Sequence, residues 1–389
     1  MASVVESTLR AGSRIDLEST LVEMVERIRE RNARQRMMAE FIRSLKDDEF
    51  LASLGGLGST GVIEGRLVSR VRPADLMDVT VVGVDGGVLA SSLHGLDLVM
   101  TRSVAAIFSY RGGALFEADY FPSEMPEPKL VSISEPLDAH ELELVISMRR
   151  QLEELRLAAS AIEAHDAELL LLDGSVVPQY LERFPRGRMV PHLQRALLDA
   201  YVRLYETCAT SGTLLAGVVK DSRSARFIEV LRRVLSALRE WSSGGTSAPA
   251  VDDDALSNSR DTVFLDHVLE TGERGFVFKY ADAASAVRGL KGWVERAYAF
   301  YLKAVPYDYP LRVEFVDGGE GALATAERVS SLVYALSSYH DAYGLPSVLI
   351  EADARARLHE EDLDMVRDSI ADRLGASASL CMRRQRGPF

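Results

Sequence analysis

Three strand-like segments follow one another in this chain before a helix intervenes, and that order limits the fold more than any other feature. Asp78–Val84 (DVTVVGV) is a β-branched run that breaks at Asp85-Gly86-Gly87. Leu98–Tyr110 and Ala114–Phe121 come next, joined by Arg111-Gly112-Gly113, a hairpin signal. A helical pattern then runs from about Leu137 to Ala164, followed by the strand Glu168–Leu172 (ELLLL), which ends at Asp173-Gly174-Ser175. A helix near Pro191–Ser211 leads to the strand Thr213–Val219, ended by Lys220-Asp221, and a further helix spans Ser222 to about Trp241. The order is β-β-β-α-β-α-β-α. A right-handed crossover places the fourth strand beside the first and parallel to it. Asp85 and Asp173 then become neighbours at strand carboxyl ends, where open α/β sheets bind their ligands.

This layout is that of an α/β, ribonuclease H-like mixed sheet flanked by helices. Residues 1–77 read as an N-terminal helical region. Its long helix covers about 15–46, with Leu17, Leu21, Met24, Val25 and Ile28 at helical spacing, and Gly55, Gly56, Gly58 and Gly61 break the chain after it. Residues 78–241 form the core, and 242–261 (SSGGTSAPAVDDDALSNSRD) read as a mobile loop without periodicity. Residues 262–389 form a C-terminal α/β extension. In it Arg274–Tyr280, Leu311–Val316 and Val348–Glu351 read as strands, Ala324–Tyr343 and Glu360–Leu374 as helices, and Arg383, Arg384 and Arg386 as a frayed tail.

Composition narrows the function. The chain has 389 residues, 47% hydrophobic and 26% charged, which is the balance of a globular protein with a sizeable core. No apolar run approaches the ~20 residues of a membrane helix, so no membrane association is expected. The opening MASVVESTLRAGSR lacks the pattern of a secretory signal. Two cysteines, Cys208 and Cys381, make neither a disulfide framework nor a zinc site, and a cytoplasmic location is the simple expectation. With 45 basic against 58 acidic residues the net charge is −13, which excludes coating of nucleic acid by bulk charge. Local basic stretches remain, at Glu26–Lys46 and Lys220–Arg239, with solvated helix faces as the favoured explanation of each.

The chemistry centres on Asp85 and Asp173. Two divalent ions at roughly 3.5–4 Å need shared carboxylate oxygens, and strand ends hold such groups rigidly. An Asp-Gly after a strand also makes an ordinary turn, but two on neighbouring strands are a pair. A third acid is expected from the helix between them: Glu154, on a face with Ala158 and Ile162, in preference to Glu153, which aligns with Arg156 and Leu157. Lys220 stands where it can hold a phosphate, or it pairs with a carboxylate; Asp221 either joins the site or caps the helix at Ser222. Arg223 and Arg226 suit backbone phosphates. Histidines 94, 140, 165, 192, 267, 340 and 359 show no HxH or HExxH spacing, and no GxSxG elbow or GxxxxGK[ST] loop occurs.

Several segments together resemble the NurA nucleases: Val82-Gly83-Val84-Asp85-Gly86-Gly87, Leu171-Leu172-Asp173-Gly174-Ser175, and Ala216-Gly217-Val218-Val219-Lys220-Asp221-Ser222. Phe300-Tyr301-Leu302-Lys303 with Leu311-Arg312-Val313-Glu314-Phe315, and Tyr343-Gly344-Leu345-Pro346 before Glu351-Ala352-Asp353, fit the same family. The resemblance covers about residues 78–375. It implies a ribonuclease H-like homodimer working with the hexameric DNA translocase HerA on DNA ends. The implied activity is Mn²⁺- or Mg²⁺-dependent 5′-to-3′ exonuclease and single-strand endonuclease cleavage, with Asp85 and Asp173 as metal ligands and the helix glutamate matching by position. One departure is Asp353, where the family usually carries a histidine; aspartate can ligate a metal but offers no imidazole. Two other expectations are weighed: a docking subunit without catalysis, which Asp353 favours, and an actin-like sugar kinase, whose phosphate loop expects threonine or lysine where Val88-Leu89-Ala90 stand.

Overall fold

The computed structural model describes residues 2–45, 61–93, 95–178, 188–242, 256–280, 288–290 and 292–375. The break at Gly55–Gly58, the middle of the expected loop (243–255) and the tail arginines Arg383, Arg384 and Arg386 lie outside the described residues.

One mixed sheet organises the chain. Its strands are β1 (Val68–Arg70), β2 (Val79–Leu93), β3 (Leu96–Arg111), β4 (Ala114–Phe121), β5 (Lys129–Ile133), β6 (Leu169–Asp173), β7 (Leu214–Val219), β8 (Glu273–Gly275), β9 (Phe278–Lys279), β10 (Ala297–Lys303) and β11 (Leu311–Val316). The order across the sheet is β1-β8-β10-β11-β7-β6-β2-β3-β4, with β5 paired to β3 and β9 to β10. As the ribonuclease H-like layout requires, β2, β3 and β4 are antiparallel neighbours, while β6 lies parallel to β2 and β7 parallel to β6.

The helices are α1 (Ala2–Ser44), α2 (Ala139–Ala164), α3 (Met189–Ser211), α4 (Arg226–Ser242), α5 (Asp261–Val268), α6 (Ala322–Ser337), α7 (Ser347–Ala356) and α8 (Glu360–Leu374). Strand alternation sorts them onto two faces. Val82, Val84, Leu170 and Leu172 pack with Val145, Leu155 and Leu197 of α2 and α3. Val81, Leu169, Leu171, Val313 and Phe315 pack on the other face with Val329, Val333, Val348 and Leu349 of α6 and α7. A third cluster joins Phe227 and Leu231 of α4 and Phe264 of α5 to Met38 and Ile42 of α1. The part of α1 before that contact is different: Leu17, Leu21, Met24, Val25 and Ile28 are exposed.

Four expectations are corrected. The first strand does not stop at Asp85; β2 continues to Leu93, with Gly86 and Gly87 in register with Ser103 and Arg102 of β3. Tertiary packing calls for glycine here, because a Cβ on Gly87 would lie 2.2 Å from the Ala356 carbonyl oxygen. Val348–Glu351 is not a strand but the first half of α7, in which Val348, Leu349, Ala352 and Ala356 turn one buried stripe to the sheet. A short apolar run cannot separate these alternatives by periodicity. The helix ending at Ser337 is shorter than expected. Finally, α4 begins at Arg226 rather than Ser222, and Asp221 lies in the left-handed region (φ 49°) instead of capping it.

The cap of α4 comes from far along the chain. Asp261, at the end of the expected loop, is fully buried and accepts hydrogen bonds from the amides of Phe227 and Ile228 (both 3.0 Å) and from the Tyr301 hydroxyl (2.8 Å). Leu256 and Ser259 are buried beside it, so that end of the loop is built into the core. Asp261→Ala strands two helix-terminal amides and a hydroxyl in the interior and is expected to cost about 2–3 kcal/mol in chemical denaturation. Asp261→Asn, which keeps an accepting oxygen, is expected to lose less.

Candidate active site

Register brings the two aspartates together. Val84 pairs with Leu172 in the parallel β2–β6 ladder, so Asp85 and Asp173 occupy the next positions, where the two strands part. Gly174 takes a φ of 135°, a conformation suited to glycine, and turns the chain out of the sheet. Gly217 on β7 makes room for that turn: a Cβ there would come within 2.2 Å of the Gly174 carbonyl oxygen.

Glu154 arrives from the helix side. It is buried on α2, whereas Glu153, one residue earlier, turns outward to pair with Lys129 and Arg156. Gly86 opens the sheet for it, since a Cβ at Gly86 would lie only 2.5 Å from Glu154 Oε1. The glycine after Asp85 therefore does more than permit a bend; it leaves the space that the third carboxylate fills.

These acids share a poorly hydrated edge, and their protonation reflects it. Burial, then the charge of Asp173, pushes the Asp85 carboxyl up to about 7, against the Gly86 amide and Arg150, which lower it, while Asp353 raises it further. Burial pushes Glu154 up to about 8; Arg150 pulls it back, and Asp85 and Asp173 raise it. Two cations answer the acids. Arg150, one turn before Glu154, donates to its Oε1 at 2.6 Å and stands 3.8 Å from Asp85 Oδ1. Lys220 Nζ lies 2.6 Å from Asp173 Oδ2; burial alone would lower its ammonium, but Asp173, with Asp85 beyond it, raises it above the ordinary lysine value.

Among the described residues no three His, Cys, Asp or Glu side chains close around one point as a ready-made metal cage. The donor set still suits a divalent cation. Asp85, Glu154 and Asp173 are oxygen donors within electrostatic reach of one another, and the raised proton affinity of Asp85 and Glu154 records a shortage of positive charge that such an ion would make good.

The remaining candidates lie further out. Asp353, in the middle of α7, bonds Arg357 at 3.0 Å and reaches Asp85 through its charge. Arg223 is exposed after β7, and Arg226 pairs with Glu229 at 3.1 Å. Gly86-Gly87 lies within a strand ladder, not at the open turn a phosphate loop uses.

Two residues escaped the sequence reading. Arg150 was legible only as the i−4 partner of Glu154. Glu314, fully buried on β11, accepts from the Ser175 hydroxyl (2.5 Å) and the Val176 amide (3.2 Å) and pairs with Arg312 (2.7 Å). Tyr201 and Tyr205 donate their hydroxyls to the carbonyls of Ser175 and Val176, so the turn that follows Asp173 is gripped from three sides. An acid at an inward position of an apolar strand was the available signal.

Both raised acids favour the proton in the folded state. Below about pH 4 folded and unfolded chains are alike protonated; as pH climbs to about 7–8 the unfolded chain ionises first, so the metal-free protein loses stability across that window. Asp85→Asn and Glu154→Gln are each expected to raise the melting temperature at pH 8 in EDTA by roughly 2 °C, with no gain at pH 4.

Comparison with known proteins identifies the family. The NurA domain model matches residues 79–358. The NurA nuclease from Sulfolobus solfataricus is similar in fold, at 13% identity over 84% of this chain and 91% of that one, with a TM-score of 0.51. A NurA structure bound to dAMP and manganese is 12% identical over 89% of this chain and 96% of that one, with a TM-score of 0.44. No curated protein sequence matches the chain. Since the domain match runs from the first residue of β2 to the threshold of α8 and takes in Asp85, Glu154, Asp173, Lys220 and Asp353, the chain belongs to the NurA family.

Proposed function

We propose that this chain is a cytoplasmic, divalent-metal-dependent deoxyribonuclease. The observation that carries the reading is the convergence of Asp85, Glu154 and Asp173, two of them with raised proton affinity, at the carboxyl edge of parallel strands. These three residues would hold Mn²⁺ or Mg²⁺, most simply as a pair of ions. Bound there, the metal supplies an activated water and charge stabilisation at the scissile phosphate.

The chain's own groups do the rest. Arg150 keeps the Glu154 carboxylate turned toward Gly86, and Glu314 fixes the turn that presents Asp173. Lys220, which pairs with Asp173, would meet a phosphate oxygen, and Arg223 and Arg226 would meet phosphates along the strand. Asp353 serves as an auxiliary acid. Family membership supports the finer reading: 5′-to-3′ exonuclease and single-strand endonuclease action in DNA-end processing, as a homodimer working with a HerA-type translocase. The placement of Gly86-Gly87 inside a ladder favours this over a sugar kinase.

The test is cleavage of end-labelled single- and double-stranded DNA in Mn²⁺, Mg²⁺ or EDTA. Cleavage is expected with metal only, and Asp85→Ala or Asp173→Ala is expected to lose at least about 100-fold. A wild type that stays inert even with its translocase added would leave only the docking-subunit reading. Independently of activity, calorimetric titration with Mn²⁺ is expected to release protons at pH 7 and to tighten as pH rises toward 8, because the raised acids must deprotonate to bind. Glu154→Gln should remove the larger part of that proton release, and Asp85→Asn a smaller part.

A further inference from the structure

Far from the carboxylates, a cavity of about 610 Å³ opens along the outer edge of the sheet, between β1 and α6. Its wall is arginine-rich: Arg66, Arg70 and Arg72 from the β1 segment and Arg274 from β8, against only Glu64 and Glu327. Of these two acids, Glu64 is already in use, while Glu327 is exposed. Glu64 takes both guanidinium nitrogens of the buried Arg274 (2.5 and 3.0 Å), the Ser69 hydroxyl (2.7 Å) and the Val277 amide (3.1 Å). With its oxygens so engaged, Glu64 has little left to offer a further cation.

Arg70 and Arg72 are exposed, and neither makes a side-chain hydrogen bond or ion pair among the described residues. The backbone that carries them is fixed. Val71 N donates to the Gly272 carbonyl at 2.8 Å, and the Ser331 hydroxyl bonds the Arg72 carbonyl at 2.5 Å. A wall of guanidinium groups carried on a fixed backbone around a nucleotide-sized cavity is thus set into a chain whose net charge is −13.

The strand directions give one end of this cavity, at Arg70, a place relative to the acids, while Arg66 lies toward the amino end of β1. Successive pairings from β1 to β2 reverse direction an even number of times, so the carboxyl end of β1, at Arg70, lies on the same sheet edge as Asp85 and Asp173. The separation is six strand steps along the sheet order, or about 29 Å at ~4.8 Å per step. That is within the reach of one single-stranded segment in contact with one protein surface.

We propose that this cavity binds phosphate groups, and that its occupant is the backbone of a single nucleic-acid strand whose other end lies at the carboxylates. Arg66, Arg70 and Arg72 contact the phosphates, and the neutral Arg274–Glu64 pair forms the floor. The proposal rests on the nuclease reading for its purpose, yet its chemistry involves no cleavage, so the two fail separately.

The experiment measures binding of a 5′-fluorescein 20-mer of thymidylate by anisotropy, in EDTA, in the Asp85→Asn background, between 50 and 200 mM salt. The triple variant Arg66→Gln/Arg70→Gln/Arg72→Gln is compared with the triple Arg→Lys variant and the parent. Loss of three phosphate contacts is expected to flatten the slope of log K against log salt by about 2, making the parent's affinity loss across that range roughly 16-fold larger than the Gln variant's. The Lys variant is expected to keep the parent's slope. Calorimetry with pyrophosphate alone separates the sources: pyrophosphate binding lost in the Gln variant while the 20-mer slope is unchanged assigns the site to a small phosphate ligand and overturns the strand. Unchanged affinity and slope for both probes overturns the site altogether, as does an affinity loss shared by the Gln and Lys variants with no change in slope.

Discussion

The parallel pairing of β2 with β6 is the contact on which the rest of the molecule depends. Val81–Val84 against Leu169–Leu172 is apolar on both faces, as a strand covered by helices on two sides must be, and it ends at two aspartates. The same ladder that builds the core therefore forces two like charges together where hydration is poor. Much of the surrounding structure can be understood as accommodation of that pair. Gly86 admits Glu154, Gly217 admits the Gly174 turn, and Arg150 and Lys220 supply opposing charge. An apolar replacement of these acids would ease the fold and abolish what the edge can do.

The sequence made part of this legible. Strand runs such as DVTVVGV and ELLLL carry their own evidence, because burial on both faces demands uninterrupted β-branched and aliphatic residues, and the handedness of crossovers then fixes which ends meet. Glu154 could be separated from Glu153 because helical spacing assigns each to a face. What stayed hidden depends on partners distant in the chain. The continuation of β2 past Asp85 is a property of its ladder with β3, and Asp-Gly-Gly in isolation reads as a turn. Asp261 looked like the last residue of a polar loop, since its role is defined by the amides of Phe227 and Ile228 across the fold. The four residues Val348–Glu351 fit a strand as well as a helix, and only their seat on the sheet decides.

Family membership and low identity together say where sequence is free to vary. With 13% identity to the Sulfolobus solfataricus nuclease over most of both chains, the shared fold does not depend on particular core side chains. It depends on volume, pattern and a few backbone approaches too close for any side chain. Asp353 lies at the periphery of this edge: the residue is partly exposed, tied to Arg357, and reaches Asp85 through its charge.

The strand order also has a consequence for biosynthesis. β7 stays an open hydrophobic edge until β11 is made, because Val219–Leu215 pairs with Arg312–Val316, and β1 waits for β8 in the same way. A ribosome emitting this chain from its N-terminus therefore displays an unpaired, valine-rich strand edge for about a hundred residues of synthesis. Closure of the sheet comes late and over long loops, so folding is slow for reasons of topology alone. Any truncation before residue 311 would leave a template for aggregation where the finished protein has the middle of its sheet.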